Sequence, residues 1–165
     1  MRKLSTHIAF LAAFAASLTV PAFAADPEPI DFGSTEKLVI LSESGAKIFD
    51  IEVADILKEQ ARGMMYRENV PPMTGMLFEF DKPKVATIWM KNTAVSLDII
   101  FVRSNGKILK IEHSATPYTL RSASSEAPVA AVLELGAGQS LELGIKPGDR
   151  IAHEFFGTES LAKAN

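Results

Sequence analysis

Short runs of apolar and β-branched residues, separated by turn residues, set the pattern of this chain. Lys37 to Leu41 and Lys47 to Val53 read as strands on either side of the turn "SESG". The signal recurs at Met76 to Phe80, Val85 to Met90, Leu97 to Arg103, Lys107 to His113, Val129 to Leu135 and Arg150 to Phe155. One short helix interrupts it near residues 55–62, in "ADILKEQARGMM". Asp55 is placed to cap its first turn through the carboxylate, and Gly63 to end it in a left-handed conformation. "RENVPPMTG" must be a loop, because Pro71 and Pro72 lack amide hydrogens and restrict the residues before them.

"GQSLELG" allows a helical turn near residues 139–143, and "KPGD" reads as a turn with Pro147 second and Gly148 third. Seven to eight short strands with one helix predict a mostly β (α+β) domain over residues 36–155, mainly antiparallel, as a sandwich or small barrel. A leader at 25–35, rich in proline, acid and glycine, precedes it, and a tail at 156–165 follows.

The pattern also pairs polar residues. In "SNGK", Asn105 and Gly106 suit a two-residue type I′ turn, which sets Val102 opposite Leu109, Ile100 opposite Ile111 and Asp98 opposite His113 on one face. A carboxylate facing an imidazole can orient and charge it as a general base requires, so Asp98 and His113 are the catalytic candidates. The same pair equally serves to satisfy hydrogen bonds at a sheet end.

Glu134 stands among apolar neighbours on a strand. If it points inward it needs a cation, with Lys91, Arg62 or Arg67 available. Trp89, Lys91, Asn92 and Thr93 in "WMKNT" form a polar corner near Asp98, fitted either to hold a turn or to contact a ligand. The aperiodic stretch from Ser114 to Ala127 is expected at the rim of such a site.

The first residues, "MRKLSTHIAFLAAFAASLTVPAFA", carry Arg2 and Lys3, an uncharged run and the cleavage-like "AFA", and predict a signal peptide over 1–24. Export follows, to a periplasm in a host with two membranes and to the medium otherwise. No second long apolar run exists, so no stable membrane span is expected after cleavage.

The full chain has 17 basic and 20 acidic side chains; without Arg2 and Lys3 the balance is 15 − 20 = −5. With no basic run, nucleic acid is not an expected partner. The chain has no cysteine, which excludes disulfides, a thiol nucleophile and thiolate metal sites.

Met73 and Met76 form an M-x-x-M spacing, and thioethers suit Cu(I), although methionine is by default a packing residue. No calcium loop, zinc helix, phosphate loop or nucleophile elbow occurs, so no cofactor is predicted.

The ordered series "ARGMMYRE", "GMLFEF", "WMKNT", "LDIIFV" with "NGK", "VLELGAG" and "GIKPGDRI" resembles the family known as domain of unknown function 192. The resemblance runs from about Val53 to Ile151 and implies a compact β-rich domain whose short helix ends at the R-G-M segment. It implies no established activity. Its motif falls on Arg62, Gly63, Met64, Arg67, Gly75, Met76, Trp89 to Thr93, Asp98, Glu134, Gly148 and Asp149. Ser96 stands where relatives usually have proline, and "ATPYT" lacks the cysteine many carry, so a thiol role is not implied here.

These readings favour a noncatalytic exported module that binds a small ligand, an envelope component or a protein partner. Its expected contacts are Arg62, Arg67, Trp89, Lys91, Asn92, Thr93, Asp98 and Glu134. The alternatives are a hydrolase or lyase using Asp98 and His113, and methionine-based Cu(I) binding.

Overall fold

In the computed structural model, which describes residues 29–160, the first hairpin pairs β1 (Glu36–Ser42) with β2 (Gly45–Ala54). The helix α1 (Leu57–Arg62) and a loop then carry the chain back, so that β3 (Thr74–Ile88) joins β2 in parallel. β4 (Leu97–Val102), β5 (Ile108–Ala115) and β6 (Ala123–Gly136) follow, then α2 (Gln139–Glu142) and β7 (Arg150–Ala152).

The sheet order is β5-β4-β6-β3-β2-β1-β7, antiparallel except between β2 and β3. The sheet curls until its edges meet at one end. There Lys107 bridges Arg150, Ile108 N donates to Asp149 O at 2.8 Å, and Ile151 N donates to Gly106 O at 2.8 Å. The result is a half-barrel, and the mostly β expectation holds.

β4, the second half of β6 and the first half of β3 are buried on both faces, which is why β4 is apolar at five of six positions rather than alternating. Leu38, Ile40, Phe49, Leu77, Ile100 and Leu133 fill the concave side. Met64, Met76, Phe78, Met90, Ile99 and Phe101 form a second core on the other side, under α1 and the segments after it. Each fully buried large side chain contributes about 1.5–3 kcal/mol.

Several local expectations need correction. Met76 to Phe80 and Val85 to Ile88 belong to one long strand, β3, with Trp89 and Met90 past its end. The ladder with β6 shifts register at extra β3 residues between Glu79 and Lys84, and at extra β6 residues between Ser124 and Pro128, opposite Val85 to Thr87. The Ser114 to Ala127 loop is shorter, because β5 reaches Ala115 and β6 starts at Ala123. β7 stops at Ala152, and Glu154–Phe156 turn as a 3-10 helix.

Asp55 does not cap α1, whose N-cap is Ile56 with no side-chain bond. Gly63 has the expected positive φ of 47°, but its ψ of −138° lies outside the left-handed helical region. The turn at Asn105 is not type I′, since of the two residues only Gly106 has positive φ. Gly106 N donates to Arg103 O, giving a three-residue loop that ends on a left-handed glycine. The signal peptide at 1–24, the start of the leader at 25–28 and the end of the tail at 161–165 lie outside the described residues.

Candidate functional site

The row of residues across the convex face places the site. Glu52 on β2 pairs with Met76 on β3, Met76 with Glu134 on β6, and Glu134 with Ile99 on β4. Two carboxylates thus flank a buried thioether, in a region otherwise apolar. Arg67 answers both. It is ion-paired with Glu52 at 2.5 Å, its guanidinium lies 5.6 Å from the Phe32 ring centroid, and its charge reaches Glu134.

Of the three cations the sequence offered, Arg67 is therefore the one that faces Glu134 electrostatically. Its pull is partial: burial pushes the Glu134 carboxyl up to about 8, against the opposing effect of Arg67. At neutral pH Glu134 is mostly the neutral acid.

Above Glu134 opens a cleft of about 480 Å³ between the segment Gln60 to Met65 and the second half of β3, Lys84 to Ile88, continuing to Met90. Its walls are Met64, Phe78, Phe80, Ala86, Met90 and Leu97, and Glu134 is the one acid in its lining. Gly63 makes the wall possible: a Cβ there would stand 2.9 Å from Phe78 Cζ. The two register shifts in the β3–β6 ladder twist the opposite wall, as bulges beside binding sites do.

Cations ride on aromatic rings around the opening. Lys84 Nζ lies 3.9 Å from the Phe80 centroid, Lys91 Nζ 5.3 Å from Trp89, and the Arg62 guanidinium 4.7 Å from Tyr66.

Arg62, Trp89, Thr93 and Glu134 line this cleft; Arg67, Lys91, Asn92 and Asp98 do not. Asn92 holds the corner instead. It sits at φ 55°, its Nδ2 donates to Tyr66 Oη at 2.8 Å, and its carbonyl accepts from Tyr66 N at 2.9 Å. Thr93 is buried, and its hydroxyl donates to Lys91 O at 3.2 Å. The segment after β5 packs onto this corner through Met90 N to Thr119 O and Tyr118 N to Thr93 O. It therefore rims a neighbouring cleft of about 410 Å³ rather than the one over Glu134.

Asp98 and His113 do not face each other. The ladder slips between Leu97↔Ala115 and Ile99↔Glu112, and Ser114 at φ 50° turns its N–H onto Asp98 Oδ1 at 2.9 Å. Gly138 N and Ser140 N also donate to Asp98, and the Ser140 hydroxyl donates to Oδ2 at 2.6 Å. Burial pushes the Asp98 carboxyl up, yet these donors, Ser140 Oγ foremost, outweigh it and hold the carboxyl below its ordinary range.

With its proton committed to Asp98, Ser140 Oγ accepts from His113 Nδ1 at 2.9 Å. Ser140 is fully buried, so the trio anchors α2 to β4 and offers no exposed nucleophile. Met73 packs against the concave core and Met76 in the convex one, so the two thioethers of the M-x-x-M spacing part company. Among the described residues no group of three His, Asp or Glu is arranged to hold a metal ion.

Sequence reasoning missed Lys84, Phe78, Phe80 and Ala86 as site residues. The aromatic pair and the alanine read as ordinary strand core, while Lys84 reads as solvated surface. The R-G-M segment was the available signal, since Gly63 and Met64 form one wall.

No curated protein matches the chain. A crystal structure of a "putative transcription regulator" from Sinorhizobium meliloti 1021 is similar at a TM-score of 0.74 and 34% identity, over 78% of this chain and 99% of that one. A protein of unknown function from Novosphingobium aromaticivorans DSM 12444 is similar at 0.72 and 36% identity, over 79% and 93%. The model of the DUF192 family, described as an uncharacterized ACR, matches residues 39–153, from within β1 to just past β7, and the chain belongs to that family.

Proposed function

We propose that this protein is a noncatalytic binding module that holds a small ligand in the cleft over Glu134. The observation that carries the reading is the buried, largely protonated carboxyl at the floor of a cleft walled by Met64, Phe78, Phe80, Ala86, Met90 and Leu97. Such sites combine a hydrophobic lining with a few convergent polar groups, and a perturbed acid in a concavity is the usual mark of one. A neutral carboxyl can donate one hydrogen bond and accept others, which orients a ligand without placing a charge beneath it.

The exported location belongs to the same proposal and rests on the basic start, the uncharged run and "AFA". The regulator name of the S. meliloti protein raises a nucleic-acid reading; the acidic balance of this chain and its lack of a basic run weigh against it.

Native mass spectrometry of the full-length gene product, purified gently from its host, tests the module. A stoichiometric excess mass that disappears in Val85→Asp, which sets a charge in the cleft wall, supports it. A bare mass in both, with no small molecule released from the native protein on denaturation, counts against it.

A further inference from the structure

We propose that the ligand is a single-chain anionic amphiphile, its apolar chain lying against the thioethers and rings of the cleft and its head group held at the rim by Lys84, Lys91 and Arg62. This rests on the binding-module reading above and adds the chemical class. The cleft offers a deep apolar wall from Met64, Phe78, Phe80 and Met90, and its volume of about 480 Å³ lies within the range of small-molecule sites. An alkyl chain there gains the ordinary transfer free energy of each buried methylene.

The charges at the opening select the head group. Lys84 is exposed and makes no ion pair among the described residues; the same is true of Lys91. Each lies over a ring of the cleft, Phe80 or Trp89, and Arg62 stands over Tyr66 on the α1 side. The one acid in the lining, Glu134, sits at the floor and carries little charge near neutrality, so the opening has a positive field. A cationic head would meet the like charges of Lys84 and Lys91, and an uncharged one would leave those two unused. A free carboxylate and a phosphate from a single-chain lipid share the required chemistry.

Trp89 is the only tryptophan, lines the cleft and is half-exposed, so its emission reports occupancy. The full chain is titrated, below micelle formation, with dodecanoate, dodecyl phosphate, dodecyltrimethylammonium and dodecanol. Saturable one-to-one binding of the anions, at least tenfold tighter than of the cation and alcohol, is expected. It should weaken at least tenfold in Lys84→Glu/Lys91→Glu and more modestly in Lys84→Ala/Lys91→Ala, with circular dichroism unchanged. Preference for dodecanoate over dodecyl phosphate points to a free fatty acid, and the reverse to a phospholipid-derived head.

Equal binding of all four, unaltered by either double variant, overturns the head-group assignment and leaves the apolar cleft standing. Absence of binding by any of them overturns the amphiphile itself, while the native mass decides separately whether the module carries some other ligand.

Discussion

Asp98 and His113 touch the same atom, the Ser140 hydroxyl, from 2.6 and 2.9 Å, and not each other. The hydroxyl donates a hydrogen bond to the carboxylate and accepts one from the ring, so α2 is pinned to the end of β4 and to β5. Ser140→Ala should cost about 1.5–3 kcal/mol, the worth of a hydrogen bond to a buried charge. Because the folded-state pKa of Asp98 lies below its ordinary value, it stabilises the fold at pH above the unfolded pKa, and that contribution is lost as pH falls through the folded pKa. Removing the hydroxyl raises the folded pKa, so the acid-unfolding midpoint should move to higher pH, read by circular dichroism.

Glu134 behaves in the opposite sense. Its folded-state value of about 8 exceeds its ordinary 4.5, so between these two the folded protein keeps a proton that the unfolded chain releases. Stability should fall as pH rises through that window, by up to roughly 4–5 kcal/mol in all, and level off above it. Glu79, raised to about 7 by burial and then by Glu36, Asp55 and Glu154, adds to the same decline up to its own value. Glu134→Gln should flatten the profile, most visibly between pH 7 and 8.5, when melting temperatures of the two proteins are compared.

Gly63 meets two demands at once, a positive φ and a close approach to Phe78. Gly63→Ala should destabilise by about 1–3 kcal/mol through strain and forced movement of the ring. Urea titration measures the loss. If the cleft wall shifts with Phe78, Trp89 emission should change in the folded baseline as well.

Asn92 separates backbone from side chain. Its left-handed φ suits asparagine or glycine, while Nδ2 adds the bond to Tyr66 Oη. Asn92→Gly loses only that bond and should cost about 1 kcal/mol. Asn92→Ala loses the bond and must also adopt the strained φ, adding roughly 1–2 kcal/mol. Equal losses in the two variants, measured by thermal unfolding, would show that backbone strain contributes nothing at this corner.

The strands were legible because Leu38, Ile40 and their counterparts carry the burial signal in their own side chains. The expected Ile100–Ile111 pairing is observed for the same reason. Register beyond it was not legible. The three-residue turn at Ser104 to Gly106 leaves Val102 opposite Ile108, and the slip before Ile99 brings Ser114 N to Asp98. A bulge is stabilised by contacts made from far along the chain, here Gly138 and Ser140, which no local pattern announces. The electrostatic influence of Arg67 on Glu134 was legible in part, since a buried acid demands a cation, but three candidates satisfied that demand equally. The cleft itself escaped because Phe78 and Phe80 look the same in sequence whether they face a solid core or an opening.

The meeting of Lys107 with Arg150 closes the curled sheet using β7, the last strand in chain order among the described residues. β7 is only three residues long, yet it covers the outer edge of β1 and fastens the far end of the sheet through Gly106. Until Arg150 to Ala152 arrive, the nascent sheet has two bare edges, each a template for pairing with another chain. The clasp comes late because its partners lie over a hundred residues upstream at Val39 to Leu41 and about forty upstream at Gly106 and Lys107. Protection from aggregation thus depends on a segment too short to be stable by itself. A chain ending before it would keep most of its core and lose its guard.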